Sequence, residues 1–389
     1  MMKTHFKTPP ILARVVGIGM SIGLVSFLVG LFAAPNREWP NLLIATYYLT
    51  GLGVGAGFFM AVQYLSNAGW SVAIRRIPEA VTSVLPAAAA GAFLVLCGIH
   101  SVYDWSRPSL SSEDGARPGP SVWLNPPFFM ARIAAYFLVW IWLSKVIVRN
   151  SERQDEDGDP VHTRRNVRNS ALFVVLGLCT SVLGSFDLLM SLQPHWYSTI
   201  FAFASVSGSF ISALAAITVV VVVVRRMGYG EFFRDDHLCD LGRLMLAFSI
   251  FWVYLWVSQH LLIWYANIPE ETSYYVVRHR ESWGALSIVS VVLNWGVPFV
   301  LLLPRASKRS EPVLLISAGS ILIGHWLDLF IIVMPPKFGD APPIGIWEIG
   351  AFTGILALFF FVVFRSLGKG NLVPIKDPYL VESIPGTGH

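Results

Sequence analysis

Residues 197–226 read YSTIFAFASVSGSFISALAAITVVVVVVRR. No Asp, Glu, Lys, Arg or His interrupts the run before Arg225. A helix needs about 20 apolar residues to cross the hydrocarbon core of a bilayer, so this stretch fixes the class as membrane-spanning. The rest of the chain agrees. Of its 389 residues 54% are hydrophobic and 13% charged, against about 25% charged in an ordinary soluble domain. The same length rule gives ten spans, near 11–34, 41–66, 79–102, 124–148, 169–192, 197–224, 240–266, 282–303, 312–335 and 343–367. Pro35, Pro40, Pro78, Pro194, Pro304 and Pro335 punctuate their ends. The expected fold is an all-α polytopic membrane protein. Span 1 is too long and apolar for a cleaved signal peptide.

Orientation follows from the basic residues. Of the 28 Lys and Arg, only Arg37, Arg107, Arg117, Arg132, Arg278, Arg280 and Lys337 fall on one side of the spans. The others gather in alternate loops, which predicts that both termini are cytoplasmic. The loops near 103–123 and 267–281 then face the periplasm. The stretch NSERQDEDGDPVHTRRNVR (150–168) reads as a solvated cytoplasmic loop, and 369–389 as a Pro/Gly-rich cytoplasmic tail. No segment is long enough for a soluble catalytic domain, and scattered short basic loops argue against nucleic acid.

An internal repeat organises the spans. Asp187 and Asp328 each precede a proline, Pro194 and Pro335, by the same interval. Tyr48-x-Thr50 and Tyr197-x-Thr199 each open a small-residue run. His100 and His260 close spans 3 and 7, with Trp105 and Trp264 after them. Each match lies four spans apart, as in a parallel repeat about the membrane normal. The membrane domain (1–368) is therefore expected as two pseudo-symmetric four-helix bundles. The first comprises 40–148 plus 169–192, the second 197–335, and the helices 11–34 and 343–367 flank them.

Ionisable side chains inside a bilayer are costly and usually functional. Arg132, Asp187, His260, His325, Asp328 and Glu348 occupy the outer half of their spans, and their clustering there predicts a proton relay opening outward. The bland alternatives are a buried Arg132–Asp187 pair and an interfacial Glu348. Cys97, Cys179 and Cys239 form no CxxC, so the ligand patterns of an iron–sulfur cluster, structural zinc or covalent haem are missing. A b-type haem between His260 and His325 lacks a repeated paired spacing.

Three stretches, LNPPFFMARIAAYFLVWIWLSK (124–145), SFDLLMSLQPHWYSTIFAF (185–203) and WVSQHLLIWYANIPEETSYYVVR (256–278), resemble the F subunit (ActF) of bacterial alternative complex III. That subunit belongs to the polysulphide-reductase-like NrfD/PsrC membrane family. The resemblance spans nearly the whole chain. It implies a cofactor-free subunit, in the bacterial inner membrane, of a respiratory complex that passes electrons from quinol to cytochrome c or a terminal oxidase. It also implies a possible proton half-channel or quinone contact. The implied partners are a homologous quinol-binding C subunit, a periplasmic iron–sulfur subunit, multihaem and monohaem cytochrome c subunits, small membrane subunits, a terminal oxidase and lipids. Haems and iron–sulfur clusters would sit on those partners. A secondary transporter with parallel repeats and a purely structural membrane scaffold are the competing readings.

Overall fold

A computed structural model describes residues 6–107, 122–339 and 341–383. Ten of its helices are long and apolar enough to cross a membrane. They are α1 (Pro10–Ala33), α2 (Pro35–Leu65), α3 (Arg76–Cys97), α4 (Pro126–Asp157), α5 (Val161–Leu192), α6 (Thr199–Tyr229), α7 (Asp235–Ala266), α8 (Ser282–Leu302), α9 (Glu311–Val333) and α10 (Ile346–Leu367). The chain is thus a multi-pass membrane protein. Residues 108–121 of the expected outer loop, including Arg117, and 384–389 of the expected tail lie outside the described residues.

The helices α2 and α6 form the centre, with 83% and 78% of their apolar windows buried, whereas α1 has 17%. The two pack together because their small-residue runs face each other. A Cβ on Gly51 would lie 2.7 Å from Ser209 Oγ, and one on Gly55 2.6 Å from Ala213 Cβ. Close backbone approach of this kind drives helix association in lipid, where apolar side chains gain little by leaving the solvent. Around this axis α2 touches α3 and α5, α3 touches α4, and α4 touches α5; α6 touches α7 and α9, α7 touches α8, and α8 touches α9. The helix α1 packs along α10, and α10 also contacts α2.

Three expected loops prove to be structured. The run 150–157 continues α4, which stops only at Gly158, where φ is +75° and the amide donates to Gln154 O at 2.9 Å. Asn150, Ser151 and Gln154 on one side of it are buried, while Glu152, Arg153, Glu156 and Asp157 are exposed. Asn150 Nδ2 donates to Asn166 Oδ1 (3.0 Å), Gln154 Nε2 to Thr163 Oγ1 (2.7 Å), and Asn166 Nδ2 to the Tyr64 hydroxyl (3.1 Å). In the second case, 267–281 contains a helix, Pro269–Arg278, with Pro at its start and Glu270 and Glu271 in its first turn, where acidic residues suit the helix dipole. Finally, the described part of the tail crosses the face that carries the basic loops. Arg75 pairs with Asp377, and Ser383 Oγ donates to Trp70 O (2.7 Å) and lies 3.1 Å from His237 Nε2. Pro40 is also no helix end. It lies inside α2, where it removes only the bond its N–H would have donated to the first turn.

Candidate functional site

The candidate residues do not form the single cluster that their depth suggested. The structure divides them among separate places near the face opposite the basic loops.

Asp187 and Arg132 form a closed unit between α4 and α5. Arg132 Nε donates to Asp187 Oδ2 (2.9 Å) and Nη2 to Oδ1 (2.8 Å). Trp123 Nε1 donates to Oδ1 and the Tyr136 hydroxyl to Oδ2, both at 2.9 Å. The guanidinium also lies over the Trp123 and Phe128 rings, 4.1 and 4.5 Å from their centroids. A carboxylate offers about four acceptor positions, and all four are taken by protein donors. Asp187 is 1% exposed. This geometry orients and neutralises; it leaves no position on which a water chain could end.

Asp328 is held differently. Among the described residues it accepts no hydrogen bond and forms no ion pair. It lines a cavity of about 60 Å³ together with Ser205, Trp252, Gln259, Tyr275, Arg278 and His279, which is room for a few waters. Arg278, at the end of the short helix, is 4% exposed. Its Nε and Nη2 donate to Ile331 O (3.0 Å) and Ile332 O (2.9 Å) at the end of α9, and its Nη1 to Tyr274 O (2.9 Å) and Gln193 Oε1 (3.3 Å). The guanidinium lies 3.4 Å from the Tyr274 ring centroid, and Tyr274 stacks on Trp196 at 3.9 Å. Every acceptor of Arg278 is thus a neutral oxygen, and a helix C-terminus is a favourable place for a cation. Burial lowers the Arg278 pKa below the usual guanidinium value, and a guanidinium still remains a cation at neutral pH. At the cavity mouth, burial likewise lowers the His279 pKa. Its ring is therefore neutral at pH 7, with one nitrogen able to donate and one to accept. On the inner side, the Tyr47 hydroxyl lies beside Ser205 and Ser209. This gives the carboxylate a polar path into the centre of the fold.

The two histidines stand behind this cavity and are not among the residues that line it. His325 is 1% exposed, both its ring nitrogens lack a hydrogen-bond partner, and it stacks on Tyr48 at 5.7 Å. A Cβ on Gly208 would lie 3.1 Å from His325 Nδ1 and 3.2 Å from Trp252 Nε1, so His325 lies near Trp252, which lines the cavity. The i−3 spacing from Asp328 puts the two on one broad side of α9, yet their side chains meet different neighbours. His260 stacks on Trp256 (5.3 Å) and lies 4.7 Å from His279. The two imidazoles share none of these contacts.

Glu348 is far from this arrangement in its contacts. It accepts from Arg37 Nε (3.0 Å) and Nη2 (2.5 Å), from Asn41 Nδ2 (3.3 Å), and from the Gly345 amide (2.9 Å), which caps the start of α10. Beside it is a residue the hydropathy reading passes over. Glu38 is 1% exposed, and neither carboxylate oxygen has a partner. It was hidden between Pro35 and Pro40, which read as helix breaks. Arg278, Gln259 and Tyr47 were missed for another reason: their apolar neighbours or loop position masked their burial.

The three stretches that carry the resemblance converge here. The first meets the second through Arg132 and Asp187. The second meets the third through Gln193 and Arg278, and through Trp196 Nε1, which donates to Glu271 O at 3.1 Å. Comparison with protein-family profiles and with curated proteins returns no match.

Proposed function

We propose that this chain is an ActF-like membrane subunit of a quinol-oxidising respiratory complex, and that it handles protons at Asp328. One observation carries the proton reading: a carboxyl group without a hydrogen-bond partner among the described residues lines a cavity that also holds a cation, a neutral imidazole and a phenol. A group left free in this way can take and give a proton through a water, whereas Asp187 cannot. The electron-transfer reading rests on the resemblance of the three stretches and is supported by their convergence on one face. Quinol oxidation, haems and iron–sulfur clusters belong to the partner chains in this reading.

The neighbour order of α2–α5 repeats in α6–α9, which supports the parallel repeat. Its two copies have diverged in use: the first Asp is locked by Arg132, and the second faces a cavity. The basic loops lie in the cytoplasm of a bacterial inner membrane by the positive-inside rule, so the Asp328 cavity opens toward the periplasm.

Two measurements test this. The chain, isolated from its own membranes in mild detergent, should copurify with c-type haem and quinol:cytochrome c reductase activity. Isolation as a haem-free homo-oligomer that moves a solute across vesicles would replace the proposal with the transporter reading. For orientation, single cysteines at Glu270 and Ala306, in a background lacking the native cysteines, should label from opposite sides. An impermeant maleimide should reach only position 270 in spheroplasts. Labelling of 306 first would invert the topology.

A further inference from the structure

The helices α1, α2 and α10 enclose a groove of about 530 Å³. Met20, Leu24, Phe27, Leu42, Ile355 and Leu358 make it apolar along its length, while Glu38 and Asn41 stand at one end. The Glu38 carboxyl sits against the bare backbone of Gly30, with neither oxygen hydrogen-bonded. The charges around it do not balance. Glu38 and Glu348 supply two carboxyls, and Arg37 supplies one guanidinium, which is spent on Glu348 through Nε and Nη2. Among the described residues Arg37 Nη1 has no acceptor, and the side chain is 27% exposed. An unpaired polar group in an apolar setting is costly unless a partner arrives, and here both a donor and a positive charge are missing.

We propose that this groove binds a phospholipid whose head carries a primary ammonium, as in phosphatidylethanolamine. The acyl chain lies along the apolar wall. The ammonium donates to Glu38, and the phosphate oxygens accept from Arg37 Nη1 at the rim. A zwitterion supplies both missing halves of the end group at once, its ethanolamine arm folding back from the phosphate at the rim toward Glu38. A choline head has the same charge but no N–H to donate, and a glycerol head has no cation, so the site should discriminate against both. Reaching Glu38 requires the last turn of α1 to move aside, which the low burial of α1 allows. The inference is independent of the respiratory reading, since it uses none of the residues around Asp328.

The test uses the full chain reconstituted with equal amounts of phosphatidylethanolamine and phosphatidylcholine, then re-extracted in mild detergent. Lipids that stay bound are counted by native mass spectrometry. The wild-type protein should retain the ethanolamine lipid about tenfold over the choline lipid, the scale of one charge-assisted hydrogen bond. Glu38→Gln should bring that ratio close to one. Gly17→Leu places a side chain at the far end of the groove, where a Cβ meets nothing within 4 Å. It should fold normally, lose retention of both lipids, and keep their ratio. That variant decides the matter if Glu38→Gln fails to fold. Equal retention of the two lipids by wild type would make the groove a passive acyl slot and overturn the proposal. So would an undiminished preference in Glu38→Gln, or unchanged retention in Gly17→Leu.

Discussion

Arg132→Ala should destabilise the protein by about 3–5 kcal/mol, the usual result of stripping one partner from a buried ion pair. The loss is not the worth of the pair. It is the cost of leaving Asp187 in place with its two guanidinium bonds gone. Trp123 would also lose the cation over its ring and the bond that its carbonyl accepts from Nη1 at 2.9 Å. The double variant Arg132→Leu/Asp187→Leu leaves no orphaned charge and should recover much of the difference. Unfolding in mixed detergent, followed by tryptophan fluorescence, measures both. If the single variant is within about 0.5 kcal/mol of wild type, as an ordinary surface change would be, the pair does not hold α4 to α5.

Asp328→Asn should have the opposite profile. No hydrogen bond from the described residues ends on this carboxylate, so the amide replaces it without stranding a donor, and stability and haem content of the assembled complex should hold. What the amide cannot do is carry a proton at neutral pH. Proton release coupled to quinol oxidation should fall by about 100-fold or more, the lower end of the 10²–10⁴ range by which a positioned acid–base group acts. His279→Ala should lower it less, because water can replace a group at the cavity mouth. Stopped-flow measurement of proton release against cytochrome reduction separates coupling from turnover. Full coupling in Asp328→Asn would leave the cavity a structural polar pocket and the chain a scaffold. Asp187→Asn makes the contrast sharp, since it should impair assembly before it affects coupling.

The ten spans were legible because apolar length is a one-dimensional signal. Polarity was a poorer guide, because it marks both solvated and paired groups. Asn150, Gln154 and Asn166 look like loop residues, yet inside a helical hairpin Asn150 hydrogen-bonds Asn166 and Gln154 hydrogen-bonds Thr163. The Arg132–Asp187 pair was foreseeable from charge at matched depth. Tyr136, one turn after Arg132, could have been added from the i, i+4 rule, whereas Trp123 comes from a turn that periodicity does not describe. Asp328 was found by depth alone. Its environment was not, because Arg278 belongs to a segment read as an outer loop and reaches the cavity only through the folding back of helix Pro269–Arg278. Glu38 was lost to a local rule applied too strictly: two prolines suggested a linker where α2 had already begun.

The segment crossing the basic face has a bearing on how the protein is made. Arg75 is 7% exposed and lies 4.4 Å from the centroid of the Tyr64 ring, and its carboxylate is Asp377. Ser383 joins Trp70 and Ala73 near the start of α3 to His237 at the start of α7. Both contacts await residues translated after all ten spans. Until then the nascent protein carries Arg75 without its Asp377 carboxylate, and the link through Ser383 between the early helices and α7 is missing. Asp377 and Ser383 therefore act as a completion mark for the ten spans: only a chain synthesised past them can bury Arg75 with its counter-ion. A polypeptide cut short beyond α10 would insert all its helices and still display that cationic flaw to the membrane's quality-control proteases.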